Sequence, residues 1–208
     1  MPGPLVDLYV RPGRFFSGQL ALGATPYVLF VTLVCGLTGA ADRLDRQMIK
    51  ADLGARSSIP APVLTSWLAY WAFIAAVGAL AAGFLWAFGG WWYNVRIRWS
   101  GATNADRFTG RLVYIYSSFV HALPALIILV AATAVYDNYQ QYWHGDEAWS
   151  SAWFVFLFWS CVTSYKGVKT VFSVTQWKAR VWFFFFPMVT YVAAFAAVIV
   201  AYVVQGDK

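Results

Sequence analysis

Of 208 residues, 61% are hydrophobic, 20% aromatic and only 12% charged. A soluble domain usually carries about 25% charged residues, so a surface that mostly faces water is excluded. The net charge of +6 does not point to nucleic acid either: the basic residues sit in short patches between apolar runs, the pattern that orients membrane proteins.

Met1-Pro-Gly-Pro lacks a basic n-region and the first apolar run starts near Leu20, so no cleavable signal peptide is expected. Residues 5–16 mix Leu5, Val6, Leu8, Tyr9, Val10, Phe15 and Phe16 with Asp7, Arg11 and Arg14. Interrupted by Pro12-Gly13, they read as part of an interfacial segment, residues 1–24, lying on the cytoplasmic leaflet. Five apolar runs follow, at about residues 25–41, 64–92, 112–136, 149–165 and 181–204. A helix needs roughly 20 residues to cross the hydrocarbon core. The predicted fold is therefore all-α, a polytopic membrane bundle of five transmembrane helices over residues 25–208. The first and fourth runs are short; the alternative is four spans, with the first run in the interface. The second is long enough to tilt or to extend past the headgroups.

Sidedness follows from the connecting segments. Arg11 and Arg14 precede the first span, and Arg96, Arg98, Arg107 and Arg111 join the second to the third. Lys166, Lys169, Lys178 and Arg180 join the fourth to the fifth. The segment between the third and fourth has no Lys or Arg, only Asp137, Asp146, Glu147 and His144. The positive-inside rule then puts the N-terminus in the cytoplasm and the C-terminus outside. The exception is the first external loop, with Arg43, Arg46, Lys50 and Arg56 offset in part by Asp42, Asp45 and Asp52. Tryptophans agree with this topology: Trp91, Trp92, Trp99, Trp177 and Trp182 flank inner ends, and Trp67, Trp71, Trp143, Trp149 and Trp153 outer ends, as interfacial belts do.

Small residues at i, i+4 spacing let helices approach closely in lipid. Ala75, Ala79, Gly83 and Ala87 make one such row, and Ala193, Ala197 and Ala201 another; both predict packing within the bundle rather than between copies. Cys35 and Cys161 fall inside apolar runs, so no disulfide framework is expected.

His121 lies well inside a span, one turn after Ser117 and on a face with Tyr114 and Ser118. An intramembrane ionisable residue is a functional candidate. Pro124 follows and leaves the Val120 carbonyl without its usual donor. Such a stripe can bind a headgroup, an ion or a partner helix. The plainer reading is a neutral His121 hydrogen-bonded to Ser160, Thr163 or Ser164. Between the fourth and fifth spans, Lys166, Lys169, Lys178 and Arg180 alternate with aromatic residues and suit anionic lipid or a cytoplasmic partner; plain topology-setting charge explains them equally well.

No HExxH, GxSxG, Walker A loop or intramembrane carboxylate pair occurs, and no Cys/His cluster has zinc spacing. Catalysis, a bound metal and a cofactor are not expected. Without a carboxylate inside a span to couple ions, a conventional secondary transporter is disfavoured.

Trp99-Ser-Gly-Ala102, Arg107, Leu112-Val-Tyr-Ile-Tyr-Ser-Ser118 and Leu123-Pro124 resemble the central signature of the Yip family, five-span proteins named for members that interact with Rab GTPases. Asp7-Leu-Tyr-Val-Arg-Pro-Gly-Arg-Phe-Phe16 before the first span fits too, as do Lys166-Gly-Val-Lys169 and Trp177-Lys-Ala-Arg180 before the fifth. Tyr116-Ser-Ser stands farther from Leu123-Pro124 than in the tightest form of the motif. The resemblance implies five helices, a cytoplasmic N-terminus and no catalysis. In eukaryotes it implies trafficking, through GTPase and partner binding in the endoplasmic reticulum and Golgi, and those members carry a long acidic cytoplasmic N-terminal region. No such region is expected here, and the compact length resembles the short bacterial members. The expectation is a scaffold, assembly or lipid-organising protein of the bacterial inner membrane, with lipid, a membrane-protein partner or its own copies as partners. The rival is a small permease, channel or lipid-moving protein built around His121.

Overall fold

Every apolar run is helical in the computed structural model, which describes residues 4–21, 27–56, 58–103, 105–145 and 153–206. The predicted starts of the first and fourth spans, and Asp146, Glu147 and Trp149, lie outside the described residues. Two short helices, α1 (Pro4–Val10) and α2 (Pro12–Ala21), each open on a proline, whose fixed φ and missing N–H suit a first helical turn. Next come α3 (Val28–Asp52), the short α4 (Ala61–Thr65) and α5 (Trp67–Phe84). A π-helical turn, Leu85–Gly89, carries α5 into α6 (Gly90–Trp99). The chain continues through α7 (Arg107–Val135), α8 (Tyr139–His144) and α9 (Trp153–Val171). Last are α10 (Gln176–Arg180), a second π turn over Val181–Phe185, and α11 (Phe186–Gly206).

Local signals set the ends. Gly101 takes φ 87°, a left-handed conformation that glycine adopts without penalty. Its amide donates to the Arg98 carbonyl (2.9 Å), and that of Ala102 to the Ile97 carbonyl (3.4 Å), so α6 stops just past Trp99. Asp106 caps α7 by accepting from the Thr109 amide at 2.7 Å. Hydrogen bonding from Thr109 holds the Asp106 carboxyl below its ordinary range, and such a cap contributes about 1 kcal/mol.

Among the described residues, three helices are long and apolar enough to cross a membrane: Trp67–Trp99, Arg107–Val135 and Gln176–Val204. The other two predicted spans are helical but differ in kind. In α3 the helix runs on through Asp42, Arg43, Asp45, Arg46 and Lys50 to Asp52, so the first half of the predicted first external loop is about three further turns of helix. An Arg46–Asp42 pair at 2.9 Å, spaced i, i+4, lies on its exposed side. Likewise α9 carries Lys166 and Lys169 inside its last turns, and α10 takes Lys178 and Arg180; little of the predicted basic loop is irregular.

The packing faces also differ from expectation. Along α5 the buried side is Tyr70, Ile74, Gly78 and Ala82, whereas Ala75, Ala79, Gly83 and Ala87 are exposed. A Cβ at Gly83 would meet nothing within 4 Å. The close approach is made by Gly36 of α3, where a Cβ would lie 2.7 Å from the Ala82 amide nitrogen. On α11, Ala193 and Ala197 are exposed too, so that row does not pack inside the bundle. The N-terminal segment is not simply interfacial: Leu8, Phe15 and Phe16 are buried. Phe15 meets Tyr116 edge-on at 5.0 Å, the Tyr9 hydroxyl donates to the Phe119 carbonyl (3.4 Å), and Trp159 Nε1 donates to the Tyr9 carbonyl (2.9 Å). Thus α1 and α2 form part of the α7–α9 wall.

Candidate functional site

The predicted stripe faces inward. Tyr114, Ser117, Ser118 and His121, one to two turns apart on α7, line a chamber of about 80 Å³. Across from them stand Tyr93 and Arg96 of α6, Ser160, Cys161 and Ser164 of α9, Phe183 of the second π turn, and Pro187 and Tyr191 of α11. Pro124 sits one turn beyond His121 inside a continuous α7. Cys161 and the distant Cys35 are both buried free thiols.

The expected hydrogen bond from His121 to α9 is not formed. Ser160 donates to the Leu157 carbonyl at 2.6 Å, and Ser164 pairs with the Tyr93 hydroxyl at 2.8 Å. The Thr163 hydroxyl is buried without a partner, as is His121 Nδ1. The His121 ring instead meets Trp153 edge-on, centroids 6.4 Å apart.

Arg96 is the residue that sequence reading assigned elsewhere. Expected as loop charge, it lies on α6 one turn from Tyr93, because the helix runs on to Trp99. Its guanidinium stands 5.1 Å from the Tyr93 ring centroid and 5.2 Å from that of Phe183. It donates to the Trp182 carbonyl at 3.3 Å. That carbonyl belongs to the second π turn, where the widened helix disturbs the regular ladder and leaves groups to bond sideways. Nε of Arg96 is buried without a partner. Among the described residues no carboxylate lines the chamber and Arg96 makes no ion pair.

The four basic residues expected between the fourth and fifth spans do not form one site. Lys166 joins Arg11 and Arg14 around a groove of about 370 Å³ floored by Val10, Trp159 and Val162. Arg180 Nε donates to the Tyr165 hydroxyl (3.4 Å), while Lys169 and Lys178 are exposed. The Thr175 amide donates to the Ser100 carbonyl at 2.9 Å, so the α6–α7 and α9–α10 connections share one end of the bundle.

A second, larger chamber, about 390 Å³ and mostly apolar, lies toward the other end, with Asp42 and Asp45 of α3 on its wall beside Leu126, Leu129, Trp153, Phe154 and Phe195. Asp45 accepts a short hydrogen bond from the Tyr139 hydroxyl. Sequence reading gave neither the chamber nor this contact, since Asp45 and Tyr139 are far apart in the chain.

The fold and its chambers define a class: an all-helical bundle with, among the described residues, three helices long and apolar enough to cross a membrane, a polar chamber between helices and a basic groove at one end. No family model, curated protein or solved structure matches the chain.

Proposed function

We propose that the chain is a non-enzymatic five-span protein of the bacterial inner membrane, akin to short members of the Yip family, that organises anionic lipid and through it a larger assembly. The observation that carries this reading is the basic groove. Arg11, Arg14 and Lys166 surround an apolar floor with no carboxylate on the lining, which suits a phosphate headgroup above acyl carbon. Each such cation contributes on the order of 1 kcal/mol near an anionic surface. The triple variant Arg11→Gln, Arg14→Gln, Lys166→Gln, purified in maltoside, should retain roughly tenfold less phosphatidylglycerol by lipid mass spectrometry. Unchanged retention would sink the reading.

The five-span topology is supported by α3 and α9 packing along α7. Thr38 donates to the Ala122 carbonyl (3.0 Å), and Gly167 of α9 leaves room for Val113 of α7, whose Cγ1 lies 2.8 Å from where a Cβ would stand. With the basic connections at one end, the positive-inside rule orients that end to the cytoplasm. A reporter fused after Asp52 should read periplasmic and one after Ala102 cytoplasmic; a cytoplasmic signal after Asp52 overturns the five-span arrangement.

A further inference from the structure

We infer that the chamber between α6, α7, α9 and α11 is an oxyanion site that takes a phosphate group. The inference rests on the lipid-organising reading but uses different residues from the basic groove. Three donors converge without partners of their own. Arg96 Nε comes from α6, and Ser117 Oγ and His121 Nδ1 come from α7; all three atoms are buried and unpaired. Ser117 as a residue is only 3% exposed. Buried polar groups nearly always find a partner, and the rare exceptions mark a missing one. Three exceptions around one space call for a common acceptor.

Charge identifies that acceptor. A guanidinium partly withdrawn from water is costly unless paired, and here it meets aromatic faces and one carbonyl but, among the described residues, no carboxylate. An anion inside the chamber offsets that cost, and the guanidinium's planar fork matches the oxygens of phosphate better than an ammonium would. Size is consistent: a space needs roughly 10–15 Å³ by this measure to hold one water, so about 80 Å³ accommodates a group of about five atoms. His121 serves as a hydrogen-bonding wall here, and Trp153 on its edge separates this chamber from the larger apolar one. A phosphate group can arrive as a lipid headgroup or as free phosphate, and binding separates the two.

The full chain, stripped of lipid in maltoside, is titrated with three probes: dioctanoyl phosphatidic acid, inorganic phosphate and dioctanoylglycerol. Tryptophan fluorescence and thermal shift report binding. Phosphatidic acid should bind the wild type and dioctanoylglycerol should not. Competition by millimolar inorganic phosphate identifies free phosphate as the source, and its absence identifies the lipid; either result supports the site. Arg96→Gln should weaken binding at least tenfold, as expected for a charge-assisted hydrogen bond. Ser117→Ala, a near-isosteric change that keeps the fold, should weaken it severalfold. Failure of both phosphate probes on the wild type overturns the proposal, as does unchanged affinity in Ser117→Ala together with a folded Arg96→Gln. The groove triple variant should lose groove binding but keep the component of phosphatidic acid binding that Arg96→Gln and Ser117→Ala weaken, so failure of the groove reading and failure of this one are seen separately.

Discussion

Gly36→Ala should lower the stability of the bundle by about 1–3 kcal/mol, the usual cost of overpacking a close contact, although alanine is the better helix former. The reason lies across the α3–α5 crossing. A Cβ at Gly36 would stand 2.7 Å from both the amide nitrogen and the Cβ of Ala82 and would overlap the Gly78 carbonyl. Two of these are backbone atoms of a neighbouring helix and the third is a Cβ fixed to that backbone, so none can turn aside. On the other side of the crossing, a Cβ at Gly78 would come within 2.9 Å of the Leu37 Cα, so neither helix has room to yield. Gly83→Ala, one turn away on the outward face of α5 with nothing within 4 Å, should instead be neutral or stabilise by up to about 1 kcal/mol. Apparent melting temperatures in maltoside, read by fluorescence-detected size exclusion, should fall in Gly36→Ala and hold or rise in Gly83→Ala. A loss in Gly83→Ala with none in Gly36→Ala would mean that α5 packs by the other face.

That pair of glycines also marks where sequence reading stops. The helices are legible because long apolar runs leave no other way to satisfy the backbone in lipid. The inward face of α5 is not. The helix is apolar all round, so no periodicity tells Gly78 and Ala82 from Ala79 and Gly83, and only the partner helix selects. On α7 the polar stripe Tyr114, Ser117, Ser118 and His121 contrasts with apolar neighbours, so its common face could be read from i, i+3 and i+4 spacing. Helix ends were read too short wherever apolarity, not helicity, ran out. Residues 42–52 and 166–171 are charged or mixed yet helical, because nothing in them breaks a helix. The same error hid Arg96. The first signal that stops α6 is Ser100-Gly101, and carrying the helix that far puts Arg96 one turn from Tyr93, on the face that turns inward.

Asp45 should make stability fall as pH rises from about 4 to about 6. Burial pushes its carboxyl up to about 6, with the neighbouring Asp42 adding to that and the Tyr139 hydrogen bond and Arg46 opposing it. The unfolded chain holds this group at its ordinary value near 4. Across the window between the two, the folded chain binds more protons than the unfolded one, so the slope of stability against pH is negative. Below about 4 both states are protonated, and the favourable neutral form is fully present; above about 6 the cost of the buried carboxylate is fully paid, about 2–3 kcal/mol. The groups facing the carboxyl explain why it is not relieved. Arg46 is held by Asp42 at 2.9 Å, and the aromatic neighbours Tyr70, Tyr139 and Tyr142 bring no positive charge. Burial holds the Tyr139 phenol far above its usual range, so it remains a neutral donor throughout. Asp45→Asn keeps an oxygen to accept from Tyr139 and removes the charge. Its melting temperature should be flat between pH 4 and 6 and exceed that of the wild type at pH 7.5. Tyr139→Phe removes a hydrogen bond that favours the carboxylate, so the midpoint of the wild-type decline should move upward in pH. A slope that persists unchanged in Asp45→Asn would assign the titration to another group. Arg96→Gln serves as the control, because it changes the charge of the polar chamber and leaves the walls around Asp45 intact; its pH slope should match the wild type.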